Sequence, residues 1–340
     1  MRFVVRYLVA LVVVLVALAA FWFALRWRGG AVPRLGLLAL GLGVLAAGYW
    51  QLKPPSLPAY DDGADVRPFY DLPRILPEAP VKVFHLGHSL VGRDMPAMLA
   101  QMAGHDYALQ LGWGTALREH WQGRDAIAGF DRENATPHYR DAHQALASGE
   151  YGAFVMTEMV RLKDAILYKD SLTYARKWAE AAVAGNPDIE VFLYETWHAL
   201  DDQPEWLARF PGDLDRMWSQ LLWSAARGAG RAVWLIPAGQ VMAAVVREAE
   251  GPGIAELTNR EQLFARNTDG SLDPIHPNDL GNYLVALTHY AVIYGRSPLG
   301  LPAQLMRADG TPAQAPSPEL ARRLQEIVWR VVSSQPLTGL

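Results

Sequence analysis

The chain has 340 residues, of which 31 are basic and 35 acidic, for a net charge of −4. The basic residues are scattered, which argues against a nucleic-acid surface. Without a single cysteine the protein has no disulfide framework and no thiolate chemistry.

From Tyr7 to Leu25 there is no charge, only Leu, Val and Ala ending in Phe21-Trp22-Phe23. That is about the length needed to cross hydrocarbon. Arg26, Arg28 and Arg34 follow, and a second uncharged, glycine-rich stretch runs from Leu35 to Gln51 with Tyr49-Trp50 at its end. The aromatic residues fit interfacial belts. Ala17-Leu18-Ala19 has the form of a signal-peptide cleavage site, but the apolar run continues past it to Leu25, beyond a usual signal core. Residues 1–52 are therefore read as a retained membrane anchor of two transmembrane helices. Three arginines between the spans exceed Arg2 and Arg6 by one, a margin that the terminal amine cancels; with the acidic, proline-rich stretch that follows retaining little on the inside, the rest of the chain is expected outside the cytoplasm. Residues 53–79, opening Lys53-Pro54-Pro55-Ser56-Leu57-Pro58, read as a proline-rich extended linker.

Residues 80–340 form the remaining domain. Short apolar runs at Val81–Leu86, Tyr107–Leu111, Ala153–Thr157, Glu190–Tyr194 and Ala232–Ile236 alternate with helical patterns at Asp94–Ala103, Pro137–Ala147, Leu172–Ala184, Leu214–Ala226 and Leu280–Tyr294. Five strands alternating with helices imply a parallel α/β sheet covered on both faces by right-handed crossovers. Ligands of such sheets bind beyond the carboxyl ends of the strands.

Ser89 falls just past the first of these strands. Asp273-Pro274-Ile275-His276 comes much later, in the segment entering the Leu280 helix. Serine becomes a nucleophile when an imidazole takes its proton, and a carboxylate must orient that imidazole. Ser89, His276 and Asp273 are thus candidate nucleophile, general base and orienting acid. The bland alternative makes Ser89 an N-cap of the following helix. Glu195-Thr196-Trp197-His198, after the fourth strand, is either a sugar-recognising cluster or an ordinary polar loop. His198 with Asp201 and Asp202 matches no standard metal spacing.

These blocks resemble the SGNH (GDSL-type) serine hydrolase superfamily over about residues 80–296. Gly87-His88-Ser89-Leu90 is similar to its nucleophile turn, and Asp273-Pro274-Ile275-His276-Pro277 to its terminal Asp-x-x-His block. The resemblance implies a three-layer α/β/α sandwich with a five-stranded parallel, flavodoxin-like sheet and serine ester hydrolysis. It also implies an oxyanion hole from the Ser89 N–H and the glycine block, Gly112 or Gly114. The family's asparagine block should follow the third strand, yet Thr157-Glu158-Met159 stands there. Ionised Glu158 is an acceptor only, which leaves Arg161 or Lys163 as substitutes.

The expected protein is a membrane-anchored serine esterase or deacetylase, needing no cofactor and no metal. Its expected partners are an acyl ester or acetylated glycan and the membrane, with no nucleic acid. Glu158, Arg161, Glu195, Trp197 and His198 are the candidate substrate contacts. An envelope O-acyltransferase, or a catalytically weak carbohydrate-binding or assembly protein of the same fold, are the alternatives.

Overall fold

The computed structural model describes residues 2–52, 55–202 and 205–340, so Lys53 and Pro54 of the expected linker lie outside it. The chain divides into two units, Met1–Leu57 and Pro58–Leu340.

The first unit is two helices, α1 (Arg2–Arg26) and α2 (Ala31–Leu52). Small residues let them approach: Ala17, Ala20 and Ala24 are buried, and a Cβ on Gly41 would meet the Phe21 ring at 3.2 Å. Among the described residues, Ala31–Gly48 is long and apolar enough to cross a membrane, with a mean hydropathy of 1.7. Within α1, Ala10–Arg26 is also apolar.

The second unit opens with β1 (Val83–His88), α3 (Asp94–Ala103) and β2 (Tyr107–Gly112). Three short helices follow, α4 (Leu117–Gln122), α5 (Phe130–Glu133) and α6 (Ala142–Ala147). Next come β3 (Ala153–Met156), α7 (Leu162–Tyr168), α8 (Ser171–Gly185) and β4 (Glu190–Tyr194). Helices α9 (Trp206–Asp213) and α10 (Ser219–Ala229), strand β5 (Trp234–Ile236) and α11 (Ala238–Glu250) complete the repeating part. A hairpin of β6 (Phe264–Arg266) and β7 (Leu272–Pro277) then leads into α12 (Asp279–Tyr294) and α13 (Pro318–Ser334).

Strands β1 to β5 form one parallel sheet in the order β2-β1-β3-β4-β5. Side chains alternate across it. Val83, Val155, Phe192 and Ile236 pack into one core with α3, α11, α12 and α13. Phe84, Phe154, Leu193 and Leu235 pack into another with α6, α8 and α10. Burial on both faces is why these strands read as apolar runs. Helix ends follow the sequence: Asn278 accepts from the Gly281 N–H at the start of α12, and Ser317 from Leu320 at the start of α13.

Two expectations change. Residues 58–79 are not a free linker, because Arg74 is buried against Glu190 and the Tyr70 hydroxyl donates to the Val233 carbonyl. The Asp273–His276 block is not a loop but lies on β7, paired antiparallel to β6.

Candidate active site

The strand order reverses direction at β1, whose neighbours β2 and β3 lead to opposite sides. The crevice beyond the carboxyl ends of such strands is where open α/β sheets bind ligands. Ser89 is the first residue past the end of β1. It does not cap α3, whose N-cap is Arg93. Instead it sits in a turn closed by Val91 and Gly92 N–H groups on the His88 carbonyl, at 2.9 and 3.3 Å.

Buried groups hold that turn from below. The His88 ring is fully buried; its Nδ1 accepts from the Leu90 N–H, and its Nε2 donates to the Glu158 carbonyl at 2.9 Å. Burial pushes His88 down to about 4, so it is neutral near pH 7. On β2, Gln110 donates to His120 Nδ1 at 3.1 Å, and His120 Nε2 donates to the Gly87 carbonyl at 2.8 Å. Gly87 leaves no room for a side chain, since a Cβ would come within 2.6 Å of Thr157 Cγ2.

The β7 hairpin brings the other two candidates to Ser89. His276 Nε2 lies 2.9 Å from Ser89 Oγ, and His276 Nδ1 lies 2.8 Å from Asp273 Oδ2. The other Asp273 oxygen accepts the Ile275 and His276 N–H groups, each at 3.0 Å. Partial burial pushes the Asp273 carboxyl up, but those two N–H groups and the ring outweigh it, leaving it below its ordinary value. An ionised Asp273 must receive a proton from Nδ1, which leaves the Nε2 lone pair for the Ser89 hydroxyl. The loop after β4 steadies β7: Trp197 Nε1 donates to the Ile275 carbonyl, and Leu200 N–H to Pro274, both at 2.9 Å.

Gly112-Trp113-Gly114-Thr115 forms the turn after β2, with Gly112 paired to His88. A Cβ at Gly112 would strike Thr115 Oγ1 at 2.2 Å, and Gly114 has φ +49; both positions suit glycine alone. Neither spare asparagine of the neighbourhood serves a site. The Asn134 amide donates to the Leu111 and Phe130 carbonyls, and Asn278 to those of Gln262 and Phe264.

Four of the five candidate substrate contacts are buried and hydrogen-bonded within the fold. Glu158 is fully buried and takes the Met159 and Leu117 N–H groups at 2.7 and 3.3 Å. Trp197 is buried and spends its N–H on Ile275. His198 is buried, donates to the Trp206 carbonyl at 3.0 Å, and is pushed down to about 4 by burial. Glu195 is buried beneath α11, accepting the Gln240 side-chain amide at 2.7 Å. The sequence pattern placed these residues on the active edge correctly but carried no signal of their inward direction. Arg161 is exposed, in a left-handed conformation at φ 61; its carbonyl accepts the Asp164 and Ala165 N–H groups, and its side chain makes no hydrogen bond or ion pair among the described residues. Lys163 is exposed on α7.

Burial pushes Glu195 up to about 8. Its folded value is raised, so its contribution to stability is complete below the ordinary carboxylate value and fades as pH rises through about 8. Glu195→Gln keeps a neutral partner for Gln240. In chemical unfolding, the loss of stability between pH 5 and 8 is expected to shrink by about 3 kcal/mol in this variant. An unchanged pH slope would show that Glu195 is ionised in the folded protein.

No protein-family model, curated protein or solved structure matches the chain.

Proposed function

We propose that the chain is a serine esterase or deacetylase of SGNH type, with the three-layer α/β/α sandwich of that superfamily. The observation that carries this is the continuous hydrogen-bonded line from Ser89 through His276 to Asp273 at the point where the strand order reverses. In the proposed reaction Ser89 Oγ attacks an ester carbonyl while His276 Nε2 takes its proton. Asp273 holds the imidazole in the required tautomer and stabilises the charge it gains. The tetrahedral oxygen is received by the Ser89 N–H and a glycine N–H of the Gly112–Gly114 turn. His276 then returns the proton to the leaving alcohol, and water or an acceptor hydroxyl releases the acyl group.

The hole lacks an asparagine, because Asn134 and Asn278 are engaged elsewhere. Loss of one such donor costs on the order of a hundred- to a thousand-fold in rate. Binding energy from a larger substrate can offset that deficit, which favours an acetylated glycan over small esters. The same deficit supports a second reading, a weakly catalytic glycan-binding protein of this fold. The span-length helix Ala31–Gly48 supports a membrane anchor, with the catalytic unit outside the cytoplasm.

The test is acetate release by the detergent-solubilised full chain from ethyl acetate and from O-acetylated sugars. Release from the sugars, with slower turnover of ethyl acetate, is expected. Fast unselective cleavage would mean a complete oxyanion hole, and no release from any ester would leave the binding protein.

A further inference from the structure

Glu195, Trp197 and His198 are buried, whereas a different aromatic residue occupies the strand position beside the nucleophile. Register pairs His88 with Gly112, so Ser89 and Trp113 are the next residues on adjacent strands, both beyond the carboxyl edge. Trp113 is 50% exposed, whereas most large aromatic side chains of this unit are buried. An exposed indole is normally mobile, but this one is fixed on several sides. Its Nε1 donates to Glu133 Oε1 at 2.6 Å, and its backbone N–H to Ala128 at 2.8 Å. The ring lies over Gly129, where a Cβ would come within 2.3 Å of Cδ2, and Gly129 adopts φ +68. Arg93, at the end of the nucleophile turn, ties the Glu133 segment in place by donating to the Glu133 carbonyl at 3.1 Å and to that of Arg132. The Arg132 guanidinium stands 6.0 Å from the ring centre.

We infer that Trp113 is a stacking platform for a pyranose ring, and that it selects sugar esters for Ser89. This deepens, and rests on, the serine-esterase proposal. A pyranose presents an apolar C–H face to an aromatic ring and a rim of hydroxyls to its surroundings. The site offers both: an indole ring half exposed between Gly129 and the Arg132 guanidinium, with Glu133 to accept and Arg132 to donate at its rim. A lipid acyl chain would instead desolvate those two charges without pairing them, which is costly. Fixing the ring in advance removes the ordering entropy that a mobile side chain would lose on binding.

The experiment uses the full chain in detergent and a panel of mono-O-acetylated methyl glycosides of glucose, mannose, galactose and N-acetylglucosamine, with ethyl acetate and a short-chain phospholipid as references. For Trp113→Ala, the ratio of kcat/KM on the best glycoside to that on ethyl acetate is expected to fall roughly tenfold, as loss of an aromatic stack implies. Trp113→Phe, which keeps a ring but not the N–H, should retain most of that ratio. An equal loss on all substrates would mean a merely structural tryptophan, and a selective loss on the phospholipid an acyl-chain contact; either overturns the inference, as does an unchanged ratio. Calorimetric titration of Ser89→Ala with the unacetylated glycosides separates the two proposals. Binding that depends on Trp113, in a protein that hydrolyses nothing, would keep the platform and remove the esterase. Ester hydrolysis with no dependence on Trp113 would do the reverse.

Discussion

Replacing Ser89 or His276 by alanine is expected to reduce turnover of the best acetyl ester by on the order of 10⁵- to 10⁶-fold, the scale of triad removal in subtilisin. The two side chains act on one proton across a single 2.9 Å contact. Removing either ends the transfer, so the double variant should be hardly slower than each single one. Asp273→Asn is expected to cost about 10⁴-fold. An amide in place of Oδ2 offers an N–H where His276 Nδ1 now finds an acceptor, and the ring then presents its hydrogen to Ser89. The fold should survive, because the other side-chain oxygen still accepts the Ile275 and His276 N–H groups. Steady-state kinetics with matching unfolding curves checks all four variants. Activity persisting in Ser89→Ala would assign the chemistry to another group.

Arg74→Ala is expected to destabilise the second unit by roughly 3–5 kcal/mol, the usual cost of removing one partner from a buried ion pair. The guanidinium has five N–H donors, and its side chain is 1% exposed. Nε and Nη2 grip the Glu190 carboxylate, each at 2.8 Å, while the remaining bonds go to the carbonyls of Val292, Ile293 and Thr338. It thereby joins the chain before β1 to β4, α12 and the C-terminus. Arg74→Lys should recover little, since one ammonium cannot reproduce the planar fork. Urea unfolding gives the comparison. A loss under about 1 kcal/mol would mean that residues 58–79 are dispensable to the fold, contrary to this packing.

The five sheet strands were legible because central parallel strands are apolar on both faces; Glu190–Tyr194, for instance, is found at its expected limits. The hairpin of β6 and β7 was not, because Phe264-Ala265-Arg266 is too short to show a period and Asp273-Pro274 reads as a turn. Helix α13 did carry an amphipathic pattern, Leu320, Leu324, Ile327 and Val328, behind a Ser317-Pro318 start, but lies beyond residue 296, where the family resemblance ends. Residues 58–79 looked like a linker because their composition is proline-rich and acidic, whereas what orders them is single long-range bonds such as those of Arg74 and Tyr70. At the site, Ser89, Asp273 and His276 were legible from residue type and place in the chain. The supports His120 and Gln110 were not, since their value lies in direction: one imidazole N–H aimed at the Gly87 carbonyl. For the same reason the burial of Glu195, Trp197 and His198 at that edge was not legible.

In the proposed mechanism Ser89 carries an acyl group during turnover. The most direct measurement is rapid acid quenching of the full chain mixed with its best acetyl ester, followed by peptide mass mapping. An acetyl group on the peptide bearing Ser89, absent from both Ser89→Ala and His276→Ala, is the expected result. Ester turnover with the acetyl group on another residue, or on none in a quench fast enough to catch the first turnover, would contradict it.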